Sequence, residues 1–571
     1  MPPGSQHPTQ LVEQYIRLAE GLPERSQLPL ATVAERLCCG ERNARLLLAR
    51  MQALGWLGWK PGRGRGQLSE LNLRQDPAVL RVQQLQRLLE EGRVEAAFSG
   101  LPVAARSRIR QALPAFLGAT PGGGLRIPFY RPLHALDPQG VTRRTESHIV
   151  SQLCDGLTMY DREAESIRPA LAHHWEASDD GQQWRFWLRP GLRFQDGRPL
   201  RAQDVAATLQ RLRDAPGPHR ALMAHLLSVN TAGQCIEMQL SAPDHLMPHR
   251  LAHHSGVILP EGDWHRADFA TLPIGAGAFR LVRNNEHRAT LVAFEGYWGV
   301  RPLIDEIDLW VVAAGSDLPA VDLKIGQLAR ATPEAPTWRT MEQAEQGCEF
   351  LLLNPARATF ATRTARCAIG HWLRSQVART ALGERFRIAT GWRPGWDHAP
   401  VPEPGGLRAL APPKQLLLVT YELADLIALA RSVAAAWERV GTRVQLEVLP
   451  APEFATRRWH RHADMAVSGE VLSDDMEFGM FEHLSNGSSF HAWLPEGLKR
   501  TLARHCQAIA ADPSPARRQA AMEAGFAQVT RAGALLPMRH LMQQLEHAPH
   551  LGGVSLARCG WMDFRKLWLP G

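Results

Sequence analysis

Several features that would place this chain in a familiar class are missing from it. No stretch of the 571 residues approaches the roughly 18 to 20 consecutive apolar positions of a membrane-crossing helix, so a helical membrane protein is not expected. The first residues, MPPGSQHPTQLVEQYIRLAEGL, lack the basic segment and apolar core of a secretory signal. Eight cysteines are scattered at positions 38, 39, 154, 235, 348, 367, 506 and 559, without a CxxC pair. The adjacent Cys38 and Cys39 cannot readily bridge each other. Reduced, structural thiols are therefore expected rather than a disulfide framework or a zinc site. A cytoplasmic location is the expectation. There is also no GxSxG elbow and no convincing Ser/His/Asp set, so neither a catalytic residue nor a cofactor is expected.

What is present has the balance of a globular protein, with 45% apolar and 21% charged residues. The charge is unevenly placed. Residues 1–120 carry 16 Lys and Arg against 10 Asp and Glu, whereas the rest of the chain carries 49 against 47. A basic segment on a nearly neutral body implies that the N-terminal part alone meets a polyanion; the alternative is an arginine-rich solvated face. The 23 histidines invite a metal reading at His173-His174, His253-His254 and the pair His460 and His462. Adjacent histidines in a strand point to opposite faces, and there is no HExxH, so no metal site is expected.

The N-terminal pattern is helical. Leu11, Tyr15, Leu18 and Leu22 recur at helical spacing, and Pro23 to Pro29 breaks that helix. Thr32 and Glu35 have the spacing of a capping box opening a short helix whose Val33, Ala34 and Leu37 face inward. Cys39-Gly40 offers a tight turn with Gly40 free to take positive φ. A third helix, about Glu41 to Leu54, clusters Leu47, Leu48, Met51 and Leu54 on one face. Arg42, Arg45, Leu46 and Ala49 collect on the other, with Arg50 at its edge and Asn43 on the exposed first turn. This describes a helix-turn-helix over about 30–54, whose outer face can enter a major groove of double-stranded DNA.

Trp56 to Lys60 and Gln67 to Leu73 read as two strands around a glycine-rich tip that carries Arg63 and Arg65. They form the wing of a winged helix over 56–73, with Lys60, Arg63 and Arg65 reaching phosphate or a minor groove. GRGRGQ leads into a strand rather than a helix, which rules out a dinucleotide fingerprint. A winged helix used only for protein contacts is the competing reading. Two further helices are expected over 77–117, completing an α+β domain over residues 1–118, and the glycine-rich 119–124 is a linker.

From 125 to 571 strands mix with helices. In DDGQQWRFWLRPGLRFQDGRPL (179–200), Trp184, Phe186 and Leu188 alternate on one strand face; a Pro-Gly turn, a second strand and an Asp-Gly turn follow. Val205, Leu209 and Leu212 line the next helix. The run Pro169 to Val205 resembles the signature of the family 5 extracellular solute-binding proteins, the oligopeptide- and nickel-binding type. PIGAGAFRLV…LVAFEGYWGVRPLIDEIDLWV (273–311) resembles a second landmark of that family, and ADMAVSGEVLSDDMEFGMFEHL (463–484) a third, weaker one lacking the usual Trp and Asp-Pro. That resemblance implies a multidomain chain. Its body would be a two-lobed α/β fold, of the type II periplasmic-binding-protein kind, closing on a solute.

A winged helix fused to such a body is similar to the SgrR family of sugar-phosphate-stress transcriptional regulators. YRPLHAL (130–136), RRTESHI (143–149), AHHW (172–175) and GWMDFRKLW (560–568) carry the likeness. It implies activation of a small-RNA gene, repression of the regulator's own gene, and a sugar phosphate as the small-molecule ligand. Arg143 and Arg144 stand just before a helix expected from about Thr145, where guanidinium charge adds to free N–H groups; a phosphate site or a pair of exposed surface arginines both fit. Asp475, beside Asp474, is a candidate acceptor for ligand hydroxyls, against a solvated loop. The rivals in function are a transport receptor with an idle N-terminal extension and a regulator with a peptide ligand. No membrane partner is expected, and the oligomeric state is left open.

Overall fold

The structure is a computed structural model. It describes residues 8–62, 68–77, 79–81, 83–84, 124–312, 322–325, 338–379, 385–398 and 412–570. They fall into two compact units, one within residues 1–117 and one within 118–571. The wing-tip Arg63 and Arg65, most of the helices expected over 77–117 and the linker over 119–123 lie outside the described residues.

The first unit runs α1 (Pro8–Ala19), β1 (Arg25–Leu28), α2 (Leu30–Arg36), α3 (Glu41–Ala53), β2 (Leu57–Lys60) and β3 (Ser69–Leu73). Leu11, Tyr15, Leu18, Val33, Leu37, Leu47, Leu48 and Met51 close one core against Leu57 and Leu71. The Tyr15 hydroxyl lies 2.6 Å from the Gln75 carbonyl and 3.0 Å from that of Trp56, which clips α1 to the base of the wing. Arg36 donates to the Glu20 carbonyl at 2.7 Å and so satisfies the end of α1.

Four local details differ from the sequence reading. The segment between Pro23 and Pro29 is a strand, β1, because β3 offers it an edge to pair with, and the sheet order is β1-β3-β2. Helix α2 begins at Leu30 after Pro29, with no side-chain cap, so Thr32 already lies inside the first turn and caps nothing. The left-handed residue after α2 is Cys38, at φ 50°, while Gly40 is extended and precedes α3. Cys38 follows the last helical residues at the position where a chain leaving a helix turns left-handed, and that position fixes the φ, not the neighbouring glycine. Leu54 caps α3 beyond its last turn and is 56% exposed; the inward position is taken by Ala44.

The body opens with β4 (Gly124–Phe129), α4 (Arg144–Leu153), β5 (Thr158–Asp161) and β6 (Ser166–Pro169). Then come β7 (Ala172–Ala177), β8 (Gln183–Leu188), α5 (Ala202–Asp214), β9 (Leu226–Ala232), β10 (Cys235–Leu240) and α6 (Met247–Ala252). Strands β11 (Phe279–Asn284), β12 (Arg288–Ala293) and β13 (Glu306–Val311) complete this first half. Its two four-stranded sheets have the orders β7-β8-β10-β9 and β11-β12-β13-β4, and β5 pairs with β6 in a two-stranded sheet. Trp184, Phe186 and Leu188 of β8 point into a core shared with Val205, Leu209 and Leu212 of α5. The second strand expected in 179–200 is reduced to one bridge, Arg193 with Pro199.

The second half contains β14 (Leu323–Ile325), β15 (Arg339–Ala344), β16 (Gly347–Leu353), α7 (Arg363–Arg379) and β17 (Phe386–Ile388). It continues with β18 (Gln415–Tyr421), α8 (Ala424–Glu438), β19 (Arg443–Leu449), α9 (Ala451–Ala455) and β20 (Met465–Val471). Helices α10 (Met476–Glu482), α11 (Glu496–Ala511) and α12 (Pro515–Arg531) precede the long β21 (Leu536–His547). These strands form a mixed sheet, β14-β21-β16-β20-β18-β19, with the parallel pair β18 and β19 joined through α8. The tail then returns to the first half, where Trp561, Phe564 and Leu567 enter its core.

One buried side chain fastens the two sequence landmarks of the first half to α4. Gln195 donates to the carbonyls of Leu153 and Phe279, both at 2.6 Å, and accepts from the Gly275 amide at 3.0 Å. Gly275 and Gly277 press on the last turn of α4 so closely that a Cβ at either would strike the backbone of Leu153 and Cys154. Replacing Gln195 by Ala removes these bonds; the Leu153 carbonyl keeps the Gly277 amide at 2.9 Å, while the Gly275 amide loses its Gln195 acceptor. Chemical denaturation should register a loss of about 1 to 3 kcal/mol; an unchanged midpoint would mean the knot carries no stability.

Candidate functional site

The outer face of α3 is open to solvent. Arg42, Asn43, Arg45, Leu46, Ala49 and Arg50 are all exposed, and the opposite face is buried. Arg45 sits 3.8 Å from Glu41 one turn away, and Lys60 sits 3.5 Å from Glu70 across the wing strands. Such exposed pairs hold a side chain only weakly, so these cations remain available to a polyanion.

The body contains a cavity of about 640 Å³, within the size range of small-molecule sites. The start of α4, the turn after α6, the end of β20 and the start and end of α10 all contribute to its wall. The two halves of the body thus face each other across it.

Charge from one half is answered by charge from the other. Arg143 precedes α4 and Arg144 is its first residue; both line the cavity. Arg144 Nη1 is 2.5 Å from Glu345 Oε1, and Arg143 Nη2 is 3.1 Å from Glu422 Oε1. Burial works against the Arg144 charge, and the Glu345 carboxylate outweighs it, raising the pKa. Glu146, in the first turn of α4, is buried and accepts from Arg131 at 2.6 Å and from the His134 amide at 2.9 Å. Despite the burial that would raise it, the Arg131 pairing holds its pKa below the usual carboxylate range.

Asp475 lies at the cavity wall, only 8% exposed, so the solvated-loop reading does not describe it. Its Oδ1 accepts from the Phe478 amide at 3.1 Å and caps α10, while Oδ2 meets His249 Nδ1 at 2.6 Å. Asp474 accepts from the Arg558 amide at 2.7 Å, which ties the tail down beside it.

Sequence reasoning did not single out Arg457, Glu470, His219 or Glu482, all of which line the cavity. Arg457 has a left-handed backbone at φ 58°, a strained state that side chains other than glycine hold when the surroundings fix it. Glu470 Oε1 accepts from the Ser489 amide at 2.9 Å. Glu470 and Glu482 stood inside the quoted 463–484 run, but its paired aspartates drew the attention instead. His253 and His254 are in a turn, not a strand, and their rings approach to 4.0 Å, which corrects the opposite-face argument for that pair. His173 and His174 do lie in β7 and are both exposed, and His460 and His462 bond to different partners.

Burial pushes the imidazoles of His148 down to about 3 and His253 to about 4, and holds His254 well below its ordinary value. Unfolded, each would titrate near its ordinary value of about 6.5. Between the two values the unfolded chain binds more protons, so stability falls as pH falls through that window. His219 and His249, raised by Glu482 and Asp475 against burial, act in the opposite sense below neutrality. His491 is likewise pushed down by burial to about 4, whereas burial raises the Glu349 carboxyl to about 7 and so favours the fold as pH falls; the depressed histidines outweigh these opposing groups. Urea titrations at about pH 7 and pH 5 should therefore show a net loss of several kcal/mol at the lower pH, roughly 2 kcal/mol per depressed histidine before the offset. Stability that holds level or rises would contradict the buried neutral state.

Among the described residues no helix is long and apolar enough to cross a membrane. Residues 10–121 match the model of the sugar transport-related sRNA regulator N-terminal domain, and residues 166–404 match the middle domain of the bacterial extracellular solute-binding proteins, family 5. The body is similar to the binding protein AgaA from A. tumefaciens R10, solved with agropinic acid. There the TM-score is 0.65 at 18% identity over 79% of this chain and 99% of that one, a likeness of fold. The HTH-type transcriptional regulator SgrR of Salmonella typhi is 28% identical, covering 98% of each chain. That of Yersinia pestis (strain Pestoides F) is 29% identical, again over 98% of both. These relatives are regulators and binding proteins rather than enzymes. With a regulator domain at one end, a solute-binding domain in the middle and relatives that align from end to end, the chain has the architecture of the SgrR HTH-type transcriptional regulators, to which it is 28–29% identical.

Proposed function

We propose that the protein is a cytoplasmic, ligand-responsive regulator that reads promoter DNA through α3 and the wing and senses an anionic sugar, a sugar phosphate, in the cavity of its body. The observation that carries this reading is the pairing of two surfaces in one chain. One is a helix whose outer face is basic and open; the other is a cavity with arginines at a helix start. Arg42, Asn43, Arg45 and Arg50 present donors to base edges and phosphates, and Leu46 and Ala49 are small or apolar enough to lie against thymine methyls. Lys60, with Arg63 and Arg65 of the wing, adds backbone contacts.

In the cavity, Arg143 and Arg144 stand at the N-terminus of α4 with a carboxylate partner each from the other half. A phosphate competes with Glu345 and Glu422 for those guanidinium groups, and doing so redistributes charge between the halves. A ligand with that differential preference shifts the population of closed and open states. Asp475 and Glu470 are positioned on the wall to accept sugar hydroxyls. By analogy with the SgrR regulators, the regulated genes are a small-RNA gene, activated, and the protein's own gene, repressed.

The DNA side is tested by gel-shift titration on the promoter fragment upstream of the protein's own gene, comparing wild type with Arg42→Ala/Arg45→Ala. Two base or phosphate contacts at about 1 to 2 kcal/mol each predict a loss of roughly 30-fold or more and a shallower salt dependence. Equal affinity and equal salt slope would remove α3 from the interface.

A further inference from the structure

One cluster in the cavity wall is not used by the reading above. One ring nitrogen from each of His219, His253 and His254 lies within 4.8 Å of those of the other two. The ring centroids are 5.3 Å apart for His219 and His253, and 4.9 Å for His219 and His254. Glu482, at the end of α10, joins them: its Oε1 is 3.2 Å from His219 Nδ1 and its Oε2 is 3.6 Å from His253 Nε2. We propose that His219, His253, His254 and Glu482 form a site for a divalent transition-metal ion of the zinc, nickel or cobalt class, open on one side to the cavity.

The second layer of contacts supports this assignment. A metal-ligating imidazole usually hands its other N–H to a carbonyl or hydroxyl, which fixes the ring and its tautomer. His219 Nε2 is 2.6 Å from the Val141 carbonyl, leaving Nδ1 turned toward Glu482. His253 Nδ1 is bonded to Ser255 Oγ at 2.8 Å, leaving Nε2 on the Glu482 side. His254 is bonded through Nε2 to the same Val141 carbonyl at 3.1 Å. Three imidazoles and a carboxylate suit zinc, nickel or cobalt and not magnesium or calcium, which prefer all-oxygen shells.

The scaffold is held in place and the ligands are ready. Arg250, whose positive charge bears on His253, is itself neutralised by Asp244 at 2.6 Å. Burial keeps His253 and His254 in the neutral, ligating form, so no proton has to leave those two rings on binding. Donors around a four-coordinate ion sit about 3.3 to 3.5 Å apart, so the rings need to close by up to about 1.5 Å, a movement within reach of side-chain torsions. The four protein donors fill a four-coordinate shell, and a fifth position on the cavity side can take water or an oxygen of the solute.

The test uses full-length, untagged protein stripped with chelator and titrated calorimetrically near neutral pH with zinc, nickel, cobalt or magnesium chloride. The expected result is one equivalent of zinc, nickel or cobalt and no magnesium uptake. Cobalt should also give visible ligand-field absorption, and diethyl pyrocarbonate footprinting should show His219, His253 and His254 protected by zinc. His253→Ala/His254→Ala should weaken binding about 100-fold or more and Glu482→Gln about tenfold, while His173→Ala/His174→Ala leaves it unchanged. The proposal is overturned by absence of stoichiometric uptake, by protection at other histidines, or by a folded His253→Ala/His254→Ala variant that binds as wild type does. If that variant fails to fold, the wild-type footprint decides alone. None of these readouts depends on DNA or sugar binding, so their outcome is separate from that of the regulatory reading.

Discussion

Charge that lines the cavity is partnered across it, and in each pair the two partners come from opposite halves of the body. Arg144 faces Glu345, Arg143 faces Glu422 and His249 faces Asp475, each pair joining the 124–312 half to the 338–547 half. Glu345 and Asp475 are buried, and leaving a buried carboxylate uncompensated costs several kcal/mol, so their pairings with Arg144 and His249 constrain how the halves can meet. They also define what can enter. On the proposed reading, an anion meeting Arg143 and Arg144 at the cavity wall competes with the carboxylates that hold them. In that reading, exchange of these partners for a ligand's charge is the two-state element a sensor needs.

The framework beneath these pairs is local and mostly apolar. The end of α4 is held by Gln195 and by the close approach of Gly275 and Gly277, so the arginines at its start stand on a fastened helix. This gives the segment 179–200 a role beyond scaffolding a strand. Its aromatic half fills a core, and its Gln195 locks the α4 end that faces away from those arginines.

Periodicity made much of the fold legible. Helical spacing placed Leu47, Leu48 and Met51 inside and Arg42 and Arg45 outside, and strand alternation placed Trp184, Phe186 and Leu188 in a core. Where the reading failed, the deciding interaction was distant or depended on a turn. Strand β1 exists because β3, more than forty residues later, has a free edge. The left-handed turn falls on Cys38 because a helix ends there, whatever glycine follows. The cavity was the least legible part. Glu345 and Glu422 were invisible as partners of Arg144 and Arg143 because 201 and 279 residues separate them. His219 came together with His253 and His254 only through tertiary packing, and no spacing rule links them.

The account joins a DNA-reading helix to a solute-sensing cavity, and its central claim is that occupancy of the second changes the first. The most direct measurement is the affinity for the protein's own promoter with and without a hexose phosphate, in wild type and in Arg143→Ala/Arg144→Ala. Coupling of the usual size, about 1 to 3 kcal/mol, predicts that the sugar phosphate shifts wild-type affinity at least fivefold and leaves the double variant unmoved. Identical wild-type affinity at saturating and zero hexose phosphate, or a shift produced by short peptides instead, would contradict it.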